Sequence, residues 1–154
     1  FAGVKRRFTH IGTVRDVDVF DDYAHHPVEI AAVLGSARAA ASGRVIGVVQ
    51  PHRYTRLRDL FADFCSCMNG ADMVFVLPVF TAGEAPIQGF DADHLVEGLR
   101  AHGHRHAVAL ADNDALASAL GEVVEAGDIV VCMGAGNITA IAHELPARLA
   151  EAAA

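Results

Sequence analysis

Two carboxylates, a tyrosine and two histidines fall within the run Asp21-Asp22-Tyr23-Ala24-His25-His26-Pro27. A carboxylate at the end of a strand can accept both hydroxyls of a ribose, a tyrosine can pack on a ligand and donate its hydroxyl, and a histidine can hold or relay a proton near neutral pH. Of the two acids, one is expected to face a helix layer or cap a turn. His26, beside Pro27, is assigned to a helix N-cap or to packing. A second cluster, "PHRYTRLRD", places Arg53 and Arg56 three residues apart at the start of an expected helix. They can share a face there, beside free backbone N–H groups and the positive end of the helix dipole. Two converging guanidinium forks are a receptor for a carboxylate or a phosphate. The alternative is an exposed arginine cluster with Asp59 as a surface partner, and Arg58 is assigned to it.

Other patterns carry less chemistry. Nine histidines and a Cys-x-Cys invite zinc, but adjacent His25 and His26 diverge on a strand and no C-x-x-C pair occurs, so no metal site is expected. "GAGNIT" places Gly134 and Gly136 between a strand and a helix. Thr139 stands where a dinucleotide fingerprint wants its third glycine, and the motif lies in the last unit rather than the first. These glycines either permit a tight turn or let a ligand approach the helix. Cys65, Cys67 and Cys132 are expected to be buried thiols.

The elements that must position these groups are legible as alternating patterns. "RRFTHIGTV" and "VDVFDDY" predict a hairpin turning at Arg15 and Asp16. Pro27 opens a helix that Ser42 and Gly43 stop. Apolar strands "RVIGVVQP", "DMVFVLPV", "AVALA" and "DIVVCMG" then alternate with helices over 55–69, 92–101, 113–124 and 137–151. Such alternation predicts a Rossmann-like, doubly wound, mostly parallel α/β sheet with an N-terminal antiparallel hairpin, in a single domain. Ligands of such sheets sit at the carboxyl ends of the strands, and the polar clusters "DDYAHHP", "QPHRYTR", "TAGEAP" and "GAGN" all fall there.

The 154 residues are 53% hydrophobic, enough for one domain with a core, and no run approaches a membrane span. A soluble, cytoplasmic protein without a membrane partner is expected. The net charge of −7 argues against nucleic acid. Nine of the twelve Lys and Arg fall in residues 1–58 with five of the nineteen acids, leaving +4 there and −11 in the remainder. A basic first third on an acidic protein suits a small anionic ligand.

In order and spacing, "GVKRRF", "DDYAHHPVEI", "QPHRYTRLRDLFADF", "FTAGEAPI" and "GAGNIT" resemble the C-terminal domain of the Mur ligases of peptidoglycan biosynthesis, over essentially the whole chain. The resemblance implies a C-terminal domain over residues 13–154, after a lead-in segment, residues 1–12, from a central ATPase domain. It implies an ATP-dependent carbon–nitrogen ligase of cell-wall biogenesis, serving cell shape and division. Within the family the motifs favour joining L-alanine to UDP-N-acetylmuramate through an acyl phosphate. The chain contains no G-x-x-x-x-G-K-[ST], so the phosphate cradle for ATP and most ligands of Mg are expected upstream, and the isolated chain is expected to be inactive.

Carried over position by position, Asp22 resembles the residue on the ATP ribose, and Arg6 the arginine that reaches the nucleotide phosphates, with Arg7 the alternative. Tyr23, His25, Arg53 and Arg56 resemble the amino acid pocket, the arginines on the L-alanine carboxylate, with Arg53 and His25 as the catalytic pair. The Gly134 to Asn137 loop, through Gly136 and Asn137, borders that pocket. Ala24 stands where many relatives have glycine. The recycling ligase, which joins a tripeptide to UDP-N-acetylmuramate, is the alternative within the family. A non-catalytic nucleotide-binding module is the alternative outside it, and the misplaced glycines disfavour an NAD-dependent oxidoreductase.

Overall fold

The apolar runs Val45–Val49 and Ile129–Met133 are buried at every position, as strands must be when helices cover both faces of a sheet. The computed structural model describes residues 7–152. Among them the order is β1 (Thr9–Val14), β2 (Val17–Asp22), α1 (Pro27–Ala40), β3 (Val45–Val49), α2 (Tyr54–Asp59), α3 (Phe61–Ser66), β4 (Met73–Val76), α4 (Ala92–Ala101), β5 (Ala107–Ala109), α5 (Ala115–Val123), β6 (Ile129–Met133) and α6 (Ile138–Ala152). The sheet order is β1-β2-β6-β3-β4-β5. β1 and β2 are antiparallel, and the remaining neighbours are parallel. The fold is the expected α/β sheet with its hairpin. No helix of the described residues is long and apolar enough to cross a membrane.

Alternate strand residues feed two cores. Val45 and Val49 join Ile30, Leu34, Leu57, Phe64, Leu95 and Leu99 of α1 to α4 on one face. Ile46 and Val48 join Leu116, Leu120, Ile138, Leu145 and Leu149 of α5 and α6 on the other. Cys65 and Cys132 are buried and Cys67 is partly so, all as free thiols, and burial pushes the Cys67 thiol up to about 12. The hairpin turn is as expected. Arg15 and Asp16 both take positive φ, 54° and 60°, the backbone hand that matches the twist of two antiparallel strands.

Residues 9–14 form β1, paired with β2 from Thr9 and Asp21 onward, within the run "RRFTHIGTV" expected to be the first hairpin strand. They are held there partly because β1 lies against α6: a Cβ on Gly12 would sit 3.1 Å from Pro146 Cγ. The single helix expected over 55–69 is broken at Leu60 (φ −116°, ψ 21°). Leu57 and Phe64 stay in the core, while the break turns Phe61 edge-on to Phe90, with ring centroids 5.4 Å apart.

The amino ends of β3 and β6 are tied by charge. The Asp128 carboxylate, 2% exposed, accepts from the Arg44 backbone (3.0 Å), the Arg44 guanidinium (2.9 Å) and the Glu125 backbone (2.8 Å). Burial alone would raise its pKa, but the guanidinium and the two N–H groups outweigh it and hold the carboxyl below its ordinary value. A depressed carboxyl stabilises the fold above its unfolded pKa, and that contribution is lost as pH falls through the folded value. Asp128→Asn is therefore expected to cost about 2 kcal/mol in urea unfolding at pH 7. The gap from wild type should narrow as pH falls below about 4, the ordinary carboxyl value, towards the lower value of the folded state.

Candidate functional site

The carboxyl ends of the central strands stop in one row. Asp22 of β2 is level with Met133 of β6, Met133 with Val49 of β3, and Val49 with Val76 of β4. Neighbouring strands lie roughly 5 Å apart, so the four polar loops emerge side by side. The clustering inferred from sequence is thereby realised through register.

The loop after β3 is built under strain. Arg53 has φ 74° and ψ 135°, a region essentially confined to glycine, which costs a side-chain-bearing residue about 1–3 kcal/mol. Its neighbours hold it there: the Arg53 N–H donates to the Phe80 carbonyl (2.8 Å), and the Phe80 N–H donates to the Pro51 carbonyl (2.8 Å). Arg53 occupies the cap position of α2 without a side-chain cap. Glu84 performs that task from another loop, accepting from the Thr55 backbone (3.1 Å) and from the Thr55 hydroxyl (2.6 Å). These bonds hold the Glu84 carboxyl below its ordinary pKa.

Arg56 points back over its own helix start. Its Nη1 donates to His52 Nδ1 (3.2 Å) and to the His52 carbonyl (3.3 Å). A guanidinium can only donate, so His52 Nδ1 is bare and Nε2 carries the proton. Burial first, and then the Arg56 charge, lower the His52 pKa. The ring stacks on Phe80, 5.2 Å between centroids and 14° between planes, and lies 6.2 Å from the His25 ring.

His25 has the opposite tautomer. Its Nδ1 is 2.9 Å from the Tyr23 carbonyl, which can only accept, so in the neutral ring Nε2 is the acceptor. Tyr23, 39% exposed, meets His25 edge-on at 5.0 Å. Glu29 shapes this loop by accepting the N–H groups of His25 (3.2 Å) and His26 (3.1 Å). His26 occupies the N-cap position of α1, as expected.

The loop after β6 closes the patch. Gln50, buried at 2%, donates from Nε2 to Asn137 Oδ1 (2.7 Å) and accepts from the Ile138 N–H (3.3 Å). A Cβ on Gly136 would lie 2.7 Å from Phe80 Cγ and 2.8 Å from Gln50 Oε1. Gly136 is small because the Phe80 ring needs that space.

The structure thus brings Tyr23, His25, Arg56, Gly136 and Asn137 together around His52 and Phe80, with Arg53 exposed at the edge. Arg58 pairs with Asp59 at 2.9 Å, the surface role expected for it. Asp22 belongs to an adjoining cleft of ≈ 410 Å³, lined also by Arg7, Tyr23, Glu29 and Val33. Its two oxygens accept from Phe8 N–H (2.6 Å) and Ala24 N–H (2.8 Å). Burial raises its pKa, and those two bonds offset it only in part. Arg6 lies outside the described residues, whereas Arg7 is described and faces the Asp22 cleft. Among the described residues no group of three or more His, Cys, Asp and Glu side chains is arranged to hold a metal ion. Gln50, His52, Phe80 and Glu84 were not singled out from sequence. A polar residue directly after a buried strand is the signal for Gln50; Glu84 acts across 29 positions and leaves no local signal.

The family model described as Mur ligase, glutamate ligase domain, matches residues 6–136. The chain belongs to the Mur ligase family. Among curated Mur ligases it is 61% identical over 150 residues to the UDP-N-acetylmuramate–L-alanine ligase of Paramagnetospirillum magneticum and 60% identical to that of Methylobacterium nodulans, covering 97% of this chain and 32% of each relative. The chain therefore spans about a third of the length of the curated relatives it matches. Its fold superposes on a UDP-N-acetylmuramate–alanine ligase from Thermotoga maritima (TM-score 0.73, 23% identity, 93% of this chain, 29% of that one). It superposes equally on a murein peptide ligase from Psychrobacter arcticus (TM-score 0.76, 23% identity, 95% and 30%). At those identities the likeness is one of fold.

Two outcomes follow from this arrangement. In an NMR titration His52 should take up its proton below its ordinary value of 6.5, and Arg56→Ala should move the midpoint upward. A depressed imidazole stabilises the fold above 6.5, and that contribution declines as pH falls towards the folded value. Gly136→Ala should cost about 1–3 kcal/mol in urea unfolding by overpacking, and should shift the His52 resonances through displacement of the stacked Phe80 ring.

Proposed function

We propose that this chain is the C-terminal domain of an ATP-dependent ligase that joins L-alanine to UDP-N-acetylmuramate in cytoplasmic peptidoglycan biosynthesis. The observation that carries the reading is its 58–61% identity, over 97% of its length, to relatives bearing that name. Fold alone does not separate this activity from that of the murein peptide ligase, since both superpose equally well.

In this reading the strand-end loops bind the amino acid. Arg53 and Arg56 take its carboxylate as charge-assisted hydrogen bonds, Tyr23 and His25 form the wall facing it, and Gly136 and Asn137 border it. Holding the carboxylate at two points aims the amine at the activated acyl carbon, and that loss of freedom before the reaction is the domain's contribution to rate. His25, with its Nε2 lone pair, is placed to hold a proton beside the amine. Asp22 takes the ATP ribose: each of its oxygens makes one hydrogen bond here and keeps a second lone pair. Arg6 or Arg7 approaches the nucleotide phosphates. The sequence holds no phosphate-cradling glycine loop, so the reading assigns the cradle and the Mg ligands to the remaining two thirds of the protein.

The test is phosphate release by the full-length parent protein given ATP, magnesium, UDP-N-acetylmuramate and single amino acids. Release that requires the UDP-sugar and is fastest with L-alanine is the expected result. A requirement for tripeptide instead would replace the reading by the recycling ligase. Arg53→Ala should then raise KM for L-alanine by about 10- to 100-fold, the consequence of losing one charge-assisted hydrogen bond, with a smaller change in kcat. An unchanged KM would remove Arg53 from the pocket.

A further inference from the structure

We infer that Glu84 is a positioning residue for the amino acid site: it acts through Arg53, which it holds in place by capping α2 from a separate loop. The inference rests on the ligase reading above and goes beyond it, since Glu84 need not touch any substrate.

Three observations support it. First, α2 has six residues and starts at a strained, uncapped Arg53, so it lacks the local device that ordinarily fixes a helix start. Second, both Glu84 oxygens are spent on Thr55, one on its N–H at 3.1 Å and one on its hydroxyl at 2.6 Å. Thr55 lies between the two arginines in sequence. Third, the loop carrying Glu84 is the one that also clamps Arg53 from behind, through the paired bonds between Arg53, Phe80 and Pro51. Its own turn is set, with Ala82 and Gly83 at φ 50° and 87° and the Glu84 N–H donating to the Thr81 carbonyl at 3.0 Å.

One rigid loop therefore grips Arg53 on both sides, and releasing either grip lets the glycine-like backbone relax. That relaxation changes the direction in which the Arg53 side chain leaves the loop. The geometry also separates positioning from simple charge. Glu84 carries a negative charge that faces Arg53, so if its effect were only electrostatic, removing it would strengthen binding of an anionic carboxylate. Loss of positioning has the opposite sign.

The experiment measures KM and kcat for L-alanine in the full-length enzyme carrying Glu84→Ala, Glu84→Gln, Thr55→Val, Arg53→Ala and the Glu84→Ala/Arg53→Ala pair. Glu84→Ala should raise KM about tenfold with kcat changed less than threefold, the loss expected of one hydrogen-bonded constraint. Glu84→Gln keeps an acceptor for the Thr55 N–H, and Thr55→Val removes only the hydroxyl bond, so both should fall between. In the Arg53→Ala background, Glu84→Ala should add less than a twofold rise, because the two act through one path. A lowered or unchanged KM for Glu84→Ala overturns the inference, as does a full tenfold rise in the double variant. If Glu84→Ala does not fold, the milder Glu84→Gln and Thr55→Val decide on the same criterion. Dependence of the wild-type enzyme on L-alanine is read in the same assay, so a failure of the ligase reading shows there, independently of Glu84.

Discussion

The parallel ladder that seats β6 between β2 and β3 is the constraint on which the site depends. It puts Asp22, Met133, Val49 and Val76 level with one another, so loops far apart in the chain leave the sheet together. Because both faces of β3 and β6 are buried, their registers are fixed by packing as well as by hydrogen bonds. A slip of two residues would preserve the faces of a strand yet carry its loop about 7 Å along the sheet, far enough to separate Gln50 from Asn137. The two helical layers exist, in this sense, to hold four strand ends in line.

What stands on that platform is strained at the arginine loop. Arg53 sits in backbone space that suits glycine, and it is kept there by bonds from Phe80 and, through Thr55, from Glu84. The positive φ angles at Arg15 and Asp16 differ in kind: they close a hairpin whose twist requires them. Strain at Arg53 serves no turn of that sort. Arg53 is left exposed there, while His52, stacked on Phe80 and bare at Nδ1, fixes the direction of Arg56.

Two buried aspartates show how different partners shift two buried carboxylates in opposite directions. Asp128 and Asp22 are about equally hidden, at 2% and 5%. Asp128 has the Arg44 guanidinium against it and is held below its ordinary value. Asp22 is pushed upward by its burial, which two backbone N–H partners and Arg7 offset only in part. The first locks the amino ends of two strands together. The second lines a cleft at the strand ends.

Sequence alone determined the alternation of strands and helices, the hairpin at Arg15 and Asp16, the strand-end placement of the polar loops and the family, because apolar periodicity, turn residues and motif spacing are local and survive in one dimension. It also assigned Arg58 to Asp59 and His26 to the helix start, since both relationships span one or two residues. It misplaced the continuity of the helix after Arg53, where a single turn at Leu60 overrode local pattern. Only the tertiary structure decided that Gln50, Phe80 and Glu84 belong to the arginine loop, that Gly136 is small for the sake of an aromatic ring, and that Arg53 is held against its own backbone preference. Those facts depend on pairs 27 to 87 residues apart, and what joins such pairs is the register of a sheet, which no single stretch of sequence contains.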